Sequence, residues 1–253
     1  MFNQYRWDFI NSIEHEYKYA GNYGAKGEKR AKRQKPTPEQ VAKQNQINKE
    51  NRIRRIIKAN FYPSDLWVTP KYPKGTRKPY EEVRKDMDRF LKKLRYRYKK
   101  LDDDLKFIYR IEIGKRGGIH THILVNRTHC SKGTDTLITE CWTEGFTHFT
   151  PIREAGGYAD LASYIAKPVP EEQQDHEDAE KTKSYHCSRN LIRPKPERKT
   201  YFRRTMRKLL EEGPQPTPGF YIVKESIVSG TNKYTGMSYF YYTEQRIKEV
   251  RRE

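Results

Sequence analysis

Apolar and polar positions in the middle of the chain alternate between helix-like and strand-like spacing. Residues 80–99 carry an apolar stripe at intervals of three and four and a basic opposite face, which predicts a long amphipathic helix. Residues 105–113 and 119–125 predict two strands, because they are rich in Ile, Tyr, Phe and Val and are separated by a glycine-bearing turn. Shorter patterns predict a strand at 66–69, a helix at 135–142, a strand at 146–152 and a helix at 158–166.

This β-α-β-β-α-β-α order predicts an α+β fold. We expect a central antiparallel sheet with helices packed on one face, in a ferredoxin-like or RRM-like topology.

The flanking segments predict additions to this core. Residues 1–36 are polar and basic and predict a flexible arm, or equally a solvated tail. A basic helix begins at Thr37 as N-cap, with Gln40 completing a capping box. Patterns near the end of the chain predict a helix over 200–211 and a closing hairpin. We therefore expect three parts: an arm over 1–36, a main domain over 37–213 and a hairpin extension over 214–253.

The net charge of the chain limits the class of partner that the protein is expected to bind. The chain has 52 Lys and Arg against 33 Asp and Glu, a net charge of +19. Such an excess favours a polyanion, most often nucleic acid, over the alternatives of a ribosome-like or membrane-surface protein. No apolar run has membrane-spanning length and no signal peptide is visible, so we expect no membrane partner and a cytoplasmic location. Three cysteines without a framework predict reduced thiols.

The second central strand carries His120 and His122 two residues apart. Side chains of a strand alternate between faces, so both imidazoles lie on one side, opposite the face of Ile123 and Val125. A hairpin would bring the carboxylate of Glu112 beside them. Two imidazoles and a carboxylate suit Mn²⁺, Mg²⁺, Zn²⁺ or Co²⁺. The alternative is a His-x-His pair that binds no metal, which is common in strands.

Tyr164 and Lys167 are three residues apart on the helix after Gly157 and share one face of it. A nearby ammonium group and a metal ion lower the cost of forming a phenolate. Tyr158 lies six residues before Tyr164, about 240° around the helix, and therefore on another face.

The chain carries an acidic residue, then a His-x-His pair, then a helix with a tyrosine, and this order resembles the HUH endonuclease superfamily. Within that superfamily, it is most similar to the rolling-circle replication initiator (Rep) proteins of bacterial plasmids and small single-stranded DNA phages. The segment 111–122 is similar to the metal motif and 163–167 to the tyrosine motif, while Phe61 and 66–69 resemble the first motif. Thr121 departs from the pattern, because the family has a large apolar residue between the two histidines.

The resemblance implies that Glu112, His120 and His122 hold a divalent ion, Mn²⁺ or Mg²⁺. It also implies that Tyr164 attacks a phosphate of single-stranded origin DNA with help from Lys167, which gives a 5′-phosphotyrosine link. Further implied partners are the host's replication helicase and polymerase. Since Tyr158 and Tyr164 do not share a face, we expect one nucleophile, Tyr164, and only a possible second tyrosine in Tyr158.

We expect DNA to contact basic residues of the arm, of the basic helix and of the central turn. These are Arg30, Lys32, Arg33, Arg54, Arg55, Lys115 and Arg116. Three alternatives remain open: a nucleic-acid-binding protein with a degenerate site, a relaxase or transposase of the same superfamily, and a zinc hydrolase of other substrates.

Overall fold

A computed structural model gives the fold. It describes residues 1–19, 35–114, 118–129, 133–169, 178–179, 181–183, 185–202, 206–232, 236–248 and 250. The described residues cluster into two compact units, one of residues 46–192 and the other of 1–45 with 193–250. Across these residues, no helix combines the length and the apolar character that crossing a membrane requires.

The strands are β1 (Phe2–Asp8), β2 (Ser12–Tyr19), β3 (Leu66–Lys71), β4 (Phe107–Ile113), β5 (Ile119–Val125), β6 (Phe146–Pro151), β7 (His186–Cys187), β8 (Glu197–Tyr201), β9 (Phe220–Ile222), β10 (Val228–Asn232) and β11 (Met237–Arg246). The helices are α1 (Pro38–Asn60), α2 (Tyr80–Lys100), α3 (Thr134–Cys141), α4 (Ala159–Ala166) and α5 (Arg207–Glu212).

The unit of residues 46–192 contains an antiparallel sheet in the order β6-β3-β5-β4-β7. Its elements follow the chain as β3, α2, β4, β5, α3, β6, α4, which is the predicted order. The α+β class and the antiparallel sheet are therefore confirmed.

Helices pack on both faces of this sheet. Helices α2 and α3 cover one face, where their buried side chains meet Val68, Ile111 and Ile123. Helices α1 and α4 pack on the other face, against Ile108 and Leu124. Helices were expected on one face only, and this was wrong. The second layer arises because β4 and β5 also carry apolar residues on the face of the histidines.

The second unit contains a six-stranded antiparallel sheet in the order β10-β11-β2-β1-β8, with β9 also paired to β11. Residues 1–19 were predicted to belong to a flexible arm, and this was wrong: they form β1 and β2. The signal was missed because β1 pairs with β8, nearly 200 residues further along the chain. Residues 20–34, with Arg30, Lys32 and Arg33, lie outside the described residues.

Two further differences concern the last third of the chain. The helix predicted over 200–211 begins only at Arg207, because residues 197–201 pair with β1 as strand β8. The closing hairpin is present as β10 and β11, and β11 extends to Arg246 because it also pairs with β2. The predicted domain boundaries stay a prediction.

The predicted start of α1 is confirmed by its hydrogen bonds. The Thr37 amide donates to Gln40 Oε1 at 2.8 Å, and the Gln40 amide donates to Thr37 Oγ1 at 3.4 Å. This reciprocal pair satisfies two amides that a helix start otherwise leaves without partners.

The core under α2 generates a stability prediction. Leu94 is fully buried among aromatic and aliphatic neighbours, so Leu94→Ala leaves a cavity and should lower the free energy of unfolding by about 2–5 kcal/mol. Leu101→Ala removes the same atoms from a side chain that is 37% exposed and should cost well under half as much. Urea unfolding of both variants measures the difference, and equal losses would contradict this description of the core.

Candidate active site

The hairpin of β4 and β5 places the predicted metal ligands on one face of the sheet. Glu112 lies directly across from His120, and Arg110 directly across from His122. The Nε2 atom of His122 is 3.2 Å from Oε1 of Glu112. Thr121, between the histidines, is buried on the opposite face, as strand alternation requires.

The neighbouring strand β3 fixes the orientation of His122. The indole of Trp67 stacks on the imidazole, with ring centroids 5.5 Å apart and an interplanar angle of 6°. The Oγ1 atom of Thr69 lies 3.1 Å from Nδ1 of His122. With Nδ1 engaged by Thr69, the Nε2 atom is the one that faces Glu112.

Helix α4 brings the tyrosine to the same carboxylate. The Tyr164 hydroxyl donates a hydrogen bond to Oε1 of Glu112. The Tyr164 ring also packs edge-on against Trp67, with centroids 5.7 Å apart, and against His122, with centroids 5.2 Å apart. Two packed rings and one hydrogen bond hold the phenol in a single orientation.

Lys167, the residue that follows α4, is the last member of this group. Its Nζ atom lies 2.6 Å from Oε2 of Glu112 and 4.4 Å from the centroid of the Tyr164 ring. The ammonium group therefore neutralises the carboxylate and also places a positive charge over the phenol.

Arg110 ties the end of α4 to the sheet. Its guanidinium is almost fully buried, and one nitrogen donates to the backbone carbonyls of Ile165 and Lys167. Carbonyls at the end of a helix have no helical partners, and a cation is favourable there. This contact sets the position of the backbone that carries Tyr164 and Lys167.

Chain geometry just before α4 depends on two residues with positive φ. Gly157 and Tyr158 both have φ of +61°, in the left-handed region. A Cβ atom at Gly157 would also lie about 3.2 Å from Nζ of Lys58. Tyr158 is buried in the core beside α1. It therefore packs in the interior, whereas Tyr164 contacts Glu112 in the candidate site.

Titration of the site follows from these contacts. Burial alone would raise the pKa of Glu112, but the hydrogen bonds of His122, Lys167 and Tyr164 outweigh it and lower that pKa to about 2. Burial, together with the hydrogen bond to the Glu112 carboxylate, raises the pKa of Tyr164 above its ordinary value. At neutral pH the site thus holds a carboxylate and a protonated phenol.

His120 is the most solvent-accessible of the three predicted ligands. Partial burial of its ring lowers its pKa; the Glu112 carboxylate opposes this effect, and the ammonium group of Lys71 adds to it. Its ring lies over Gly114, where an added Cβ would stand 2.2 Å from Nε2 of His120. Glycine at 114 therefore leaves room for this imidazole.

These donors fit a divalent ion chemically. Two ligands of one ion, each at about 2.0–2.2 Å, stand roughly 3 Å apart, and Glu112 Oε1 and His122 Nε2 have this separation. Within the described part of the chain, no group of three or more His, Cys, Asp or Glu side chains has the geometry of a metal site. Only two of the three predicted ligands are therefore in contact, and the ligand set stays a prediction.

The remaining predicted residues lie on α1 or outside the described residues. Arg54 and Arg55 are half-buried on α1, and their contact with DNA stays a prediction. Lys115 and Arg116 lie outside the described residues. Trp67, Thr69 and Arg110 were not predicted as site residues. Strand alternation could have found all three, because Trp67 and Thr69 share a face, as do Arg110 and Glu112.

Comparison with known proteins gives one finding. Residues 65–169 match the family model of the replication-associated protein ORF2. No curated protein and no solved structure matches the chain. The matched segment runs from the start of β3 to just beyond α4 and contains Glu112, His120, His122, Tyr164 and Lys167. The predicted resemblance to Rep-type replication initiators is therefore confirmed, with residues 65–169 similar to the ORF2 family of replication-associated proteins.

Proposed function

We propose that this protein initiates rolling-circle replication by nicking and rejoining single-stranded DNA through Tyr164. The observation that carries the proposal is the convergence of a phenol, a carboxylate and an ammonium group: the Tyr164 hydroxyl and Lys167 Nζ both contact Glu112. Phosphoryl transfer to a tyrosine needs a positioned nucleophile and positive charge near the phosphate, and this cluster supplies both.

The proposed step is a transesterification. The Oη atom of Tyr164 forms a bond to phosphorus while the bond from phosphorus to the 3′-oxygen breaks. The phenol loses one proton and the departing 3′-oxygen gains one, so the exchange is balanced. The product is a 5′-phosphotyrosine, and a later 3′-hydroxyl reverses the step to rejoin the strand.

The negative charge of Glu112 disfavours the ionised form of Tyr164. The carboxylate accepts the phenol's hydrogen bond and raises the pKa of Tyr164, which opposes phenolate formation. A divalent ion, when held by Glu112, His120 and His122, would polarise the scissile phosphate. Lys167 is held near the ring and would stabilise the developing phenolate and the phosphate charge.

The proposed substrate is single-stranded DNA at a replication origin. A net charge of +19 favours phosphate binding, and the family match points to replication. Host polymerase would extend the 3′-hydroxyl that the nick creates, and host helicase would separate the strands, as the resemblance to rolling-circle initiators implies.

Tyr164→Phe removes only the oxygen that forms the phosphotyrosine. With Mn²⁺ and origin-derived single-stranded DNA, the wild-type chain should give a covalent adduct on a denaturing gel. The adduct should be undetectable with Tyr164→Phe. DNA affinity should stay within about threefold, since one hydroxyl is lost and the net charge of +19 that attracts phosphate is unchanged.

Tyr158→Phe is the matched control, because it removes the same atom from a buried tyrosine six residues away. It should keep the adduct. Loss of the adduct with Tyr158→Phe and not with Tyr164→Phe would contradict the assignment of the nucleophile. No adduct from any variant on the native origin would favour a DNA-binding protein with a degenerate site.

Metal binding can be tested apart from cleavage. His122→Ala or His120→Ala should weaken Mn²⁺ binding at least tenfold, as measured by isothermal titration calorimetry. Replacing a residue that only supports a metal ligand already lowers metal affinity about 10–100-fold. His129→Ala removes an exposed imidazole that pairs with Asp103 and should bind Mn²⁺ as the wild type does. Equal Mn²⁺ affinity of all four proteins would exclude a metal site at the hairpin.

A further inference from the structure

One face of strand β6 is exposed beside the candidate site. Phe146, His148 and Thr150 alternate with residues on the core side and are all exposed, and Phe146 is 69% exposed. A phenylalanine with most of its surface in water contributes little to the core. Single exposed apolar side chains are common on protein surfaces, so what distinguishes Phe146 is its place beside the candidate site.

Strand register connects Phe146 to the site. Phe146 lies directly across from Lys71, and His148 directly across from Thr69. Thr69 contacts His122, and the charge of Lys71 acts on His120. Each of these two β3 residues therefore connects a residue of β6 to a histidine of the candidate site. With strands about 4.8 Å apart, β6 stands roughly 10 Å from β5, within reach of a nucleotide close to the scissile one.

The strand that carries Phe146 is firmly held. Gly145 has φ of +156°, and a Cβ there would stand 2.2 Å from the carbonyl oxygen of Lys71, so only glycine allows this close approach to β3. On the other side, Thr147 Oγ1 lies 3.0 Å from Thr139 Oγ1 of α3, and Phe149 packs on the core. The exposed ring therefore projects from a rigid strand.

We propose that Phe146 is a base-stacking residue that positions single-stranded DNA on the sheet next to Tyr164. A base would stack on the Phe146 ring, and the ammonium of Lys71 would contact an adjoining phosphate. This inference rests on the proposed function for the identity of the strand that is positioned, although the stacking itself requires no cleavage.

Single-stranded DNA fits this surface better than a protein partner. Stacking on an exposed ring is available to every base, and phosphates complement both Lys71 and the net charge of the chain. A stable protein interface needs about 800 Å² on each partner, with an apolar centre. One phenylalanine followed by His148 and Thr150 along β6 does not provide such a centre.

The test compares two probes of equal length without divalent ions: fluorescent (dT)12 and a 12-unit abasic oligonucleotide that has phosphates and no bases. Phe146→Ala should lower affinity for (dT)12 about tenfold, as expected when a base-stacking ring is truncated, and leave affinity for the abasic probe within twofold. Phe146→Trp should restore binding. Phe202→Ala removes an equally exposed phenylalanine, 73% exposed, from the other unit and should change neither affinity.

Photocrosslinking locates the contact independently. An oligonucleotide with 5-iodouracil, irradiated on the wild-type chain, should crosslink to the peptide that contains Phe146. Unchanged (dT)12 affinity in Phe146→Ala, an equal loss for both probes, or crosslinks confined to other peptides would each overturn the proposal. Because no step involves cleavage, these outcomes are separate from failure of the nicking reaction, which the Tyr164→Phe adduct assay reports.

Discussion

The contact on which the candidate site depends is the one between Arg110 and the end of α4. A buried guanidinium on β4 donates to the carbonyls of Ile165 and Lys167 and so fixes the helix end to the sheet. Removing one partner of such a contact leaves a buried charge or unsatisfied carbonyls, which is costly. The position of Tyr164 over Glu112 is thus set by the fold, through a residue that takes no part in the proposed chemistry.

Glu112 is where the elements of the site meet. Its carboxylate contacts His122 from β5, Tyr164 from α4 and Lys167 from the segment after it. Burial of a carboxylate is unfavourable, and these three partners more than compensate, which is why its pKa falls to about 2. The same negative charge raises the pKa of Tyr164. A divalent ion held by Glu112 would draw on the same carboxylate oxygens and would weaken the hydrogen bond that opposes ionisation of the phenol.

Much of the central unit could be predicted from local patterns. The strand predicted over 119–125 coincides with β5, and period-two alternation placed Glu112, His120 and His122 on one face. Contacts between distant segments could not be predicted in this way. Strand β1 pairs with β8 across nearly the whole chain, so residues 1–19 resembled a polar arm. Alternation places Arg110 on the face of Glu112, but its contacts with backbone carbonyls more than 50 residues away could not be predicted from the strand pattern.

The central claim is that Tyr164 forms the bond to DNA. Its most direct test is tandem mass spectrometry of the protein after reaction with Mn²⁺ and single-stranded origin DNA, followed by nuclease and protease digestion. The account predicts a nucleotide attached to Tyr164 through its 5′-phosphate, and no such adduct when a chelator replaces Mn²⁺. Attachment to Tyr158 or another residue, or cleaved DNA with free 5′-phosphate ends and no protein link, would contradict it.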